Sequence, residues 1–232
     1  ASLRELGVPL VETELVPVST GPDRHVVYVV QPELDAARFG NALLRAAPVQ
    51  EIFPLLERVL EHVLRVLEAN ALRQDGLEIA IDAQLSNWHW PEAASAPRPL
   101  LIDVGTPFTR RHGEIEVGAD LFLAAYPAPV RWWMRRTRAV EGYLDAFFDP
   151  RRTLIDLLGN FNKEGTPEKI SAALAFVNDW MSRQPRAGRL APIELEDVRR
   201  YYANDAATLA LSLRLRRLRR FVDTKLLRRR YD

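Results

Sequence analysis

Three side chains in the middle of the chain have the types and spacing of a metal-assisted reactive site. Asp82 follows the short apolar run Ile79–Ile81, Asn87 lies five residues later, and Asp103 follows a second apolar run, Leu100–Ile102. Short runs rich in branched residues predict buried strands, whose rigid ends are suitable places for reactive groups. A carboxylate at Asp82 can orient an attacking hydroxyl or accept its proton. The oxygens of Asn87 and Asp103 are hard ligands suited to Mg²⁺.

A simpler interpretation of the same residues stays open. Aspartate and asparagine are favoured in turns because their short side chains hydrogen-bond to nearby backbone. Asp82 and Asn87 are then only turn residues that cap a hairpin.

A long helix is predicted immediately before this stretch. Over residues 50–73 apolar side chains recur every three or four positions with charged residues between them, and the Asp75-Gly76 pair ends the pattern. Pro54 is placed in the first helical turn, where a missing N–H costs little. His62 is assigned to the polar side and is predicted to be solvated.

A β-hairpin is predicted between Asn87 and Asp103. Trp88 and Trp90 alternate with His89, so the tryptophans are predicted to pack in the core and His89 to face solvent. The loop 92–98 joins the two strands. A second hairpin is predicted near the N-terminus, where Val-rich segments at 10–18 and 25–30 flank a Ser-Thr-Gly-Pro-Asp turn.

The motif Asp-x-x-x-x-Asn, a hairpin, and then apolar-apolar-Asp-x-Gly resembles the catalytic loop and metal-binding aspartate of protein-kinase-like phosphotransferases. The closer resemblance is to the aminoglycoside phosphotransferase and choline kinase family. By position, it implies that Asp82 is the catalytic aspartate and that Asn87 and Asp103 hold the metal. Two residues before Asp82 that family usually carries His, and this chain has Ala80.

The resemblance implies an α+β fold that is mostly helical. Residues 1–35 are then a partial small lobe ending in a hinge strand, and residues 36–232 a helical large lobe with a catalytic hairpin at 77–111 and C-terminal helices. Val29–Leu34 matches the hinge, so Gln31 and Glu33 are candidate nucleotide neighbours through their main chain. As side chains, both also suit an ordinary loop.

One expected part of such an enzyme is missing from the sequence. No glycine-rich phosphate loop precedes the motif, and all three lysines, Lys163, Lys169 and Lys225, follow it. The small lobe is therefore predicted to be truncated or lost, or the chain to be a divergent or inactive relative.

Two adjacent arginines follow the metal aspartate. Arg110 and Arg111 are candidates for holding a phosphate or an acidic substrate, since guanidinium groups bind such anions through paired hydrogen bonds. The alternative is a solvated turn.

Composition limits the partners. The net charge of +1 disfavours a nucleic-acid partner, and the absence of cysteine excludes disulfides and thiolate nucleophiles. No apolar run is long enough to span a bilayer, so we expect a cytoplasmic protein with no membrane partner. Residues 206–232 hold nine basic and two acidic residues around an apolar stripe. This predicts a basic C-terminal helix that either packs on its own domain or binds nucleic acid, acidic lipid or an acidic partner.

The sequence therefore predicts a Mg²⁺-dependent phosphotransferase that moves phosphate from ATP or GTP to a hydroxyl of a small molecule. The main alternative is a catalytically silent kinase-like domain that binds a ligand or partner. A third is a helical interaction protein that acts through its basic tail.

Overall fold

The computed structural model describes most of the chain. The described residues are 2–21, 24–91, 98–103, 108–116, 123, 128–137, 142, 144–184, 190–204, 214, 217 and 220. The α-helices, numbered in chain order, are α1 Ser2–Glu5, α2 Gly40–Ala46, α3 Val49–Leu72, α4 Ala128–Thr137, α5 Pro150–Lys163 and α6 Ile170–Arg183, followed by a helical segment at 195–204. Short 3₁₀ turns lie at Ala36–Arg38, Leu85–Asn87, Asp145–Phe148 and Pro167–Lys169.

The strands form three small antiparallel sheets. They are β1 Glu14–Gly21, β2 Arg24–Val30, β3 Leu77–Ala80, β4 Trp88–His89, β5 Leu100–Leu101, β6 Phe108–Arg111 and β7 Glu114–Ile115. β1 pairs with β2, β4 pairs with β5, and the third sheet has the order β3-β6-β7. Helices and antiparallel sheets together make an α+β fold, as predicted. A kinase-like arrangement of lobes stays a prediction.

The core is organised around α3. The apolar face of this helix, which includes Leu56, Val59 and Leu60, is almost completely buried. α5 and α6 pack on it, and Phe53 of α3 stacks on Phe176 of α6 at 4.3 Å between ring centroids. The helix predicted at 50–73 is thus confirmed at Val49–Leu72. Pro54 lies inside the helix, beyond the first turn in which it was predicted.

Both predicted hairpins are confirmed, but the expectations for two histidines were wrong. Trp88 is fully buried as predicted, whereas His62 and His89 are only 6% and 5% exposed. The His62 ring stacks on Trp88, with centroids 5.7 Å apart and planes 10° apart. His89 meets the ring of Phe39 edge-on. Each imidazole packs as a flat, largely apolar ring, which a polar assignment of histidine overlooks.

The structure describes only a small part of the predicted basic C-terminal helix. Of the basic segment at 206–232, only Arg214, Arg217 and Arg220 are described, and they are helical and exposed. The rest of that segment, and the loop residues 92–97, lie outside the described residues. No helix within the described ranges combines the length and apolar character needed to cross a bilayer.

Candidate functional site

The strand that carries Asp82 is held rigidly from both sides. On one side β3 pairs with β6, with Ala80 opposite Phe108. On the other side the amide side chain of Asn70, near the end of α3, donates to the carbonyl of Ile79 at 2.7 Å and accepts from its amide at 2.9 Å. The Asn70 side chain thereby makes the hydrogen bonds that a neighbouring strand would make. Asp82 follows directly after this hydrogen-bonded segment.

Asn87 is brought next to the segment of Asp103 by the β4–β5 hairpin. Trp88 lies opposite Leu101 in that hairpin, so Asn87 comes opposite Ile102. The amide of Ile102 donates to the carbonyl of Asn87 at 2.9 Å. Asp103 is the next residue and its side chain is exposed. The register of one short hairpin therefore places both predicted metal ligands at the same end of the sheet.

The carboxylate of Asp82 is partly buried and its protonation is perturbed. Burial raises its pKa to about 6, and the charges of Asp156 and Asp103 act in the same direction. Hydrogen bonds from the Gln84 amide, at 3.0 Å, and from the side chain of Asn87 oppose the increase. Asn87 and Asp103 thus both act on Asp82, and their roles in metal binding stay a prediction.

The Gln84 hydrogen bond also bears on the simpler interpretation of Asp82. A carboxylate that accepts from the amide two residues later forms an Asx turn, so Asp82 does shape the local turn. An exposed turn residue would fill this role without an electrostatic penalty. The raised pKa of Asp82 indicates that its charge is held in an unfavourable place, which is typical of functional carboxylates.

The sequence analysis did not identify a third acidic residue that acts on the site. Asp156 lies on α5, is 5% exposed, and accepts a short hydrogen bond from the hydroxyl of Tyr201. Its negative charge contributes to the raised pKa of Asp82. A signal was present in the sequence, because Asp156 interrupts the otherwise apolar segment Leu154–Leu158, and a charged residue in a buried segment needs a reason.

The two hinge candidates have different environments. Gln31 is half-buried, and its side-chain amide donates to the carbonyl of Ile102 at 2.8 Å and to Oγ1 of Thr13 at 3.2 Å. It therefore ties the end of β2 to the residue that precedes Asp103. Glu33 is exposed. Nucleotide contact through the main chain of either residue stays a prediction.

The two adjacent arginines form ion pairs with different acidic residues. Arg110 is largely buried, contacts both carboxylate oxygens of Glu78 on β3, reaches Asp145 at 3.3 Å, and lies 4.4 Å from the ring centre of Phe148. Arg111 is exposed and pairs with Glu116 at 2.9 Å. These contacts give Arg110 a structural role. A role for either arginine in substrate binding stays a prediction.

The donor set suits a hard cation that is shared with a ligand. Among the described residues, no three histidine, aspartate or glutamate side chains are placed so as to hold a metal by themselves. The side-chain N–H of Asn87 donates a hydrogen bond to Asp82. The amide oxygen of Asn87 is then left as a metal ligand, together with the carboxylate of Asp103. Mg²⁺ normally takes one or two protein oxygens and completes its shell with phosphate and water. The residues therefore fit Mg²⁺ that arrives with a phosphorylated ligand.

A close backbone approach at Gly40 supports the turn that carries Asn87. A β-carbon at Gly40 would lie 2.4 Å from the carbonyl oxygen of Leu85, which is too close for any real contact. We expect Gly40→Ala to push the 3₁₀ turn away and lower the free energy of unfolding by about 1–3 kcal/mol. Urea unfolding measures this change.

Gly142→Ala is the matched control for that substitution. Gly142 is helical and exposed, and a β-carbon there meets nothing within 4 Å. Its replacement should leave stability unchanged or raise it slightly, because alanine is the better helix former. Equal stability of the two variants would contradict the proposed close packing of Gly40 on Leu85.

The comparison with known families places the chain in one of them. Residues 1–221 match the model of a family described as "Family of unknown function (DUF6206)", and the chain belongs to this family. No curated protein and no solved structure matches the chain.

Proposed function

We propose that the chain is a Mg²⁺-dependent phosphotransferase that moves the terminal phosphate of ATP or GTP to a hydroxyl of a small molecule. The observation that carries the proposal is the interacting set of Asp82, Asn87 and Asp103 at the ends of short strands, with the pKa of Asp82 raised to about 6. Supporting this, the chain order of long helix, strand, turn and hairpin follows that of the resembled kinase-like family.

In this proposal Asp82 receives the proton of the acceptor hydroxyl. Its pKa of about 6 leaves it mostly ionised near pH 7 and makes it a stronger base than an ordinary aspartate, as suits general-base catalysis. The hydroxyl oxygen forms a bond to the terminal phosphorus, and the bond from phosphorus to the bridging oxygen breaks. The electron pair of that bond leaves with the nucleoside diphosphate.

Asn87 and Asp103 act on the phosphate side of the reaction. The amide oxygen of Asn87 and the carboxylate of Asp103 would hold Mg²⁺, which would supply positive charge to offset the charge of the nucleotide phosphates. Asn87 also donates to Asp82, so it orients the base toward the acceptor. Gln31 holds the carbonyl of Ile102 and thereby fixes the backbone that precedes Asp103.

A catalytically silent binding domain is the second candidate. One contact favours it: Lys169, one of only three lysines, donates to the carbonyls of Leu44 and Ala47 at the end of α2. It therefore caps a helix and is not positioned as a phosphate ligand. A silent domain would use the same residues to bind a ligand without transferring phosphate.

A thermal-shift experiment tests the proposal. We expect Mg²⁺ with ATP or GTP to raise the melting temperature of the wild-type chain by about 5–10 °C at ligand concentrations about 100-fold above Kd. The shift should disappear when EDTA removes the metal, and in Asp103→Ala, because Asp103 supplies the only proposed carboxylate ligand.

Asp179→Ala is the matched control, since Asp179 is an exposed aspartate of α6 that pairs with Arg183. It should show the wild-type shift. No Mg²⁺-dependent shift with either nucleotide would refute the phosphotransferase. A shift that persists in EDTA and in Asp103→Ala would favour the silent binding domain.

A further inference from the structure

The N-terminal hairpin has the apolar sequence of a buried sheet, but its side chains are exposed. The five consecutive apolar residues Val26–Val30 of β2 are each 42–57% exposed. A strand that is apolar on both faces is typical of a sheet in the interior of a protein. Yet β1 and β2 pair only with each other in the part of the chain that the structure describes. Isolated two-stranded hairpins are marginally stable, and a third strand usually supports them.

The two outer edges of this hairpin are not equivalent. β1 contains Pro17 at its centre, opposite Val27. Proline has no N–H to offer to another strand and is a common means of blocking a sheet edge. From Val26 to Val30, β2 has no proline and no charged residue. The hairpin therefore has one blocked edge and one open edge.

We propose that the open edge of β2 pairs antiparallel with β2 of a second copy of the chain. The product is a four-stranded sheet of order β1-β2-β2-β1, with a two-fold axis near Val27. Because the described hairpin has one open edge and Pro17 blocks its other edge, pairing through this hairpin stops at a dimer and does not extend into a fibre. Self-pairing also places no like charges opposite one another, since Val26–Val30 is uncharged.

Pairing at the open edge gives the exposed side chains of β2 new neighbours. In the four-stranded sheet each residue of Val26–Val30, 42–57% exposed in the single chain, lies beside a residue of the second β2, and aromatic and β-branched cross-strand pairs of this kind stabilise sheets. The backbone N–H and C=O groups along the open edge gain hydrogen-bond partners at the same time.

Light scattering with size-exclusion chromatography tests the proposal on the full chain. At about 50 µM we expect a mass twice that of the 26.4 kDa chain for the wild type, and a monomer for Val27→Lys, because two lysines would face each other across the axis. Val18→Lys is the matched control on the blocked strand and should stay dimeric. A monomeric wild type, a dimeric Val27→Lys, or a monomeric Val18→Lys would each overturn the proposal.

A cross-linking experiment keeps the proposal testable if Val27→Lys fails to fold. The chain has no cysteine, so a single introduced thiol reports only on its own position. Under mild oxidation, Val27→Cys should form a covalent dimer, because directly opposed residues of paired strands lie within disulfide distance. Val18→Cys should stay monomeric in denaturing electrophoresis. Equal cross-linking of the two variants would overturn the edge pairing.

Discussion

Asp82→Asn is expected to abolish phosphate transfer and, at the same time, to stabilise the fold at neutral pH. The loss of a general base reduces the rate by about a thousandfold. The gain in stability follows from burial, which raises the pKa of Asp82 from its ordinary 3.8 to about 6. Ionised Asp82 then costs the folded state on the order of 3 kcal/mol, and neutral asparagine removes that cost.

The pH dependence of this gain has a defined sign. Below pH 3.8 the carboxyl group is protonated in both the folded and the unfolded chain, so the wild type and the variant should differ little. Between pH 3.8 and about 6 the unfolded chain releases its proton first, which destabilises the folded wild type progressively. Above pH 6 the advantage of Asp82→Asn should be complete and constant. Urea unfolding of both proteins across this range measures it.

Asp149→Asn is the control for this prediction. Asp149 also accepts a hydrogen bond from a backbone amide, that of Arg152 at 2.8 Å, but it is an exposed cap at the start of α5. Asparagine caps helices about as well as aspartate, so we expect little change in stability. Destabilisation by Asp82→Asn at neutral pH would mean that Asp82 serves as a turn residue and that its charge is not held under strain.

Local patterns in the sequence were sufficient to predict most of the individual elements. α3 follows from apolar residues at helical spacing, and the N-terminal hairpin follows from two Val-rich segments around a turn. The convergence of Asn87 and Asp103 follows from the short hairpin between them, because hairpin register is determined locally. These three predictions involve residues that lie close together in the chain.

The unpredicted features depend on contacts between distant residues. Nothing near Leu77–Ala80 indicates that β3 pairs with Phe108–Arg111, or that Asn70 completes that sheet through its side chain. The influence of Asp156 on Asp82 joins residues on different elements. A sequence pattern shows which residues are buried together, but it does not show which buried residues meet.

The two adjacent arginines also differ in this way: Arg110 contacts a residue distant in the chain, and Arg111 contacts a nearby one. A paired substitution tests whether this difference affects stability. Arg110→Leu is expected to lower the free energy of unfolding by about 2 kcal/mol, because it leaves Glu78 of β3 without its partner and removes the contact with Phe148. Arg111→Leu is the matched control. Its ion pair with Glu116 is exposed, so its loss should be within the error of urea unfolding.

Measuring KM together with stability distinguishes an arginine with a structural role from one that binds substrate. If Arg110 only holds β3 and β6 together, Arg110→Lys should lose part of the stability, since lysine cannot reproduce the paired contact with Glu78, while KM for nucleotide and acceptor stays constant. A large rise in KM without a loss of stability would instead place Arg110 in the substrate site. For Arg111 the same rise would have no structural explanation, because its described ion pair lies at the surface, and it would identify this arginine as the substrate ligand of the pair.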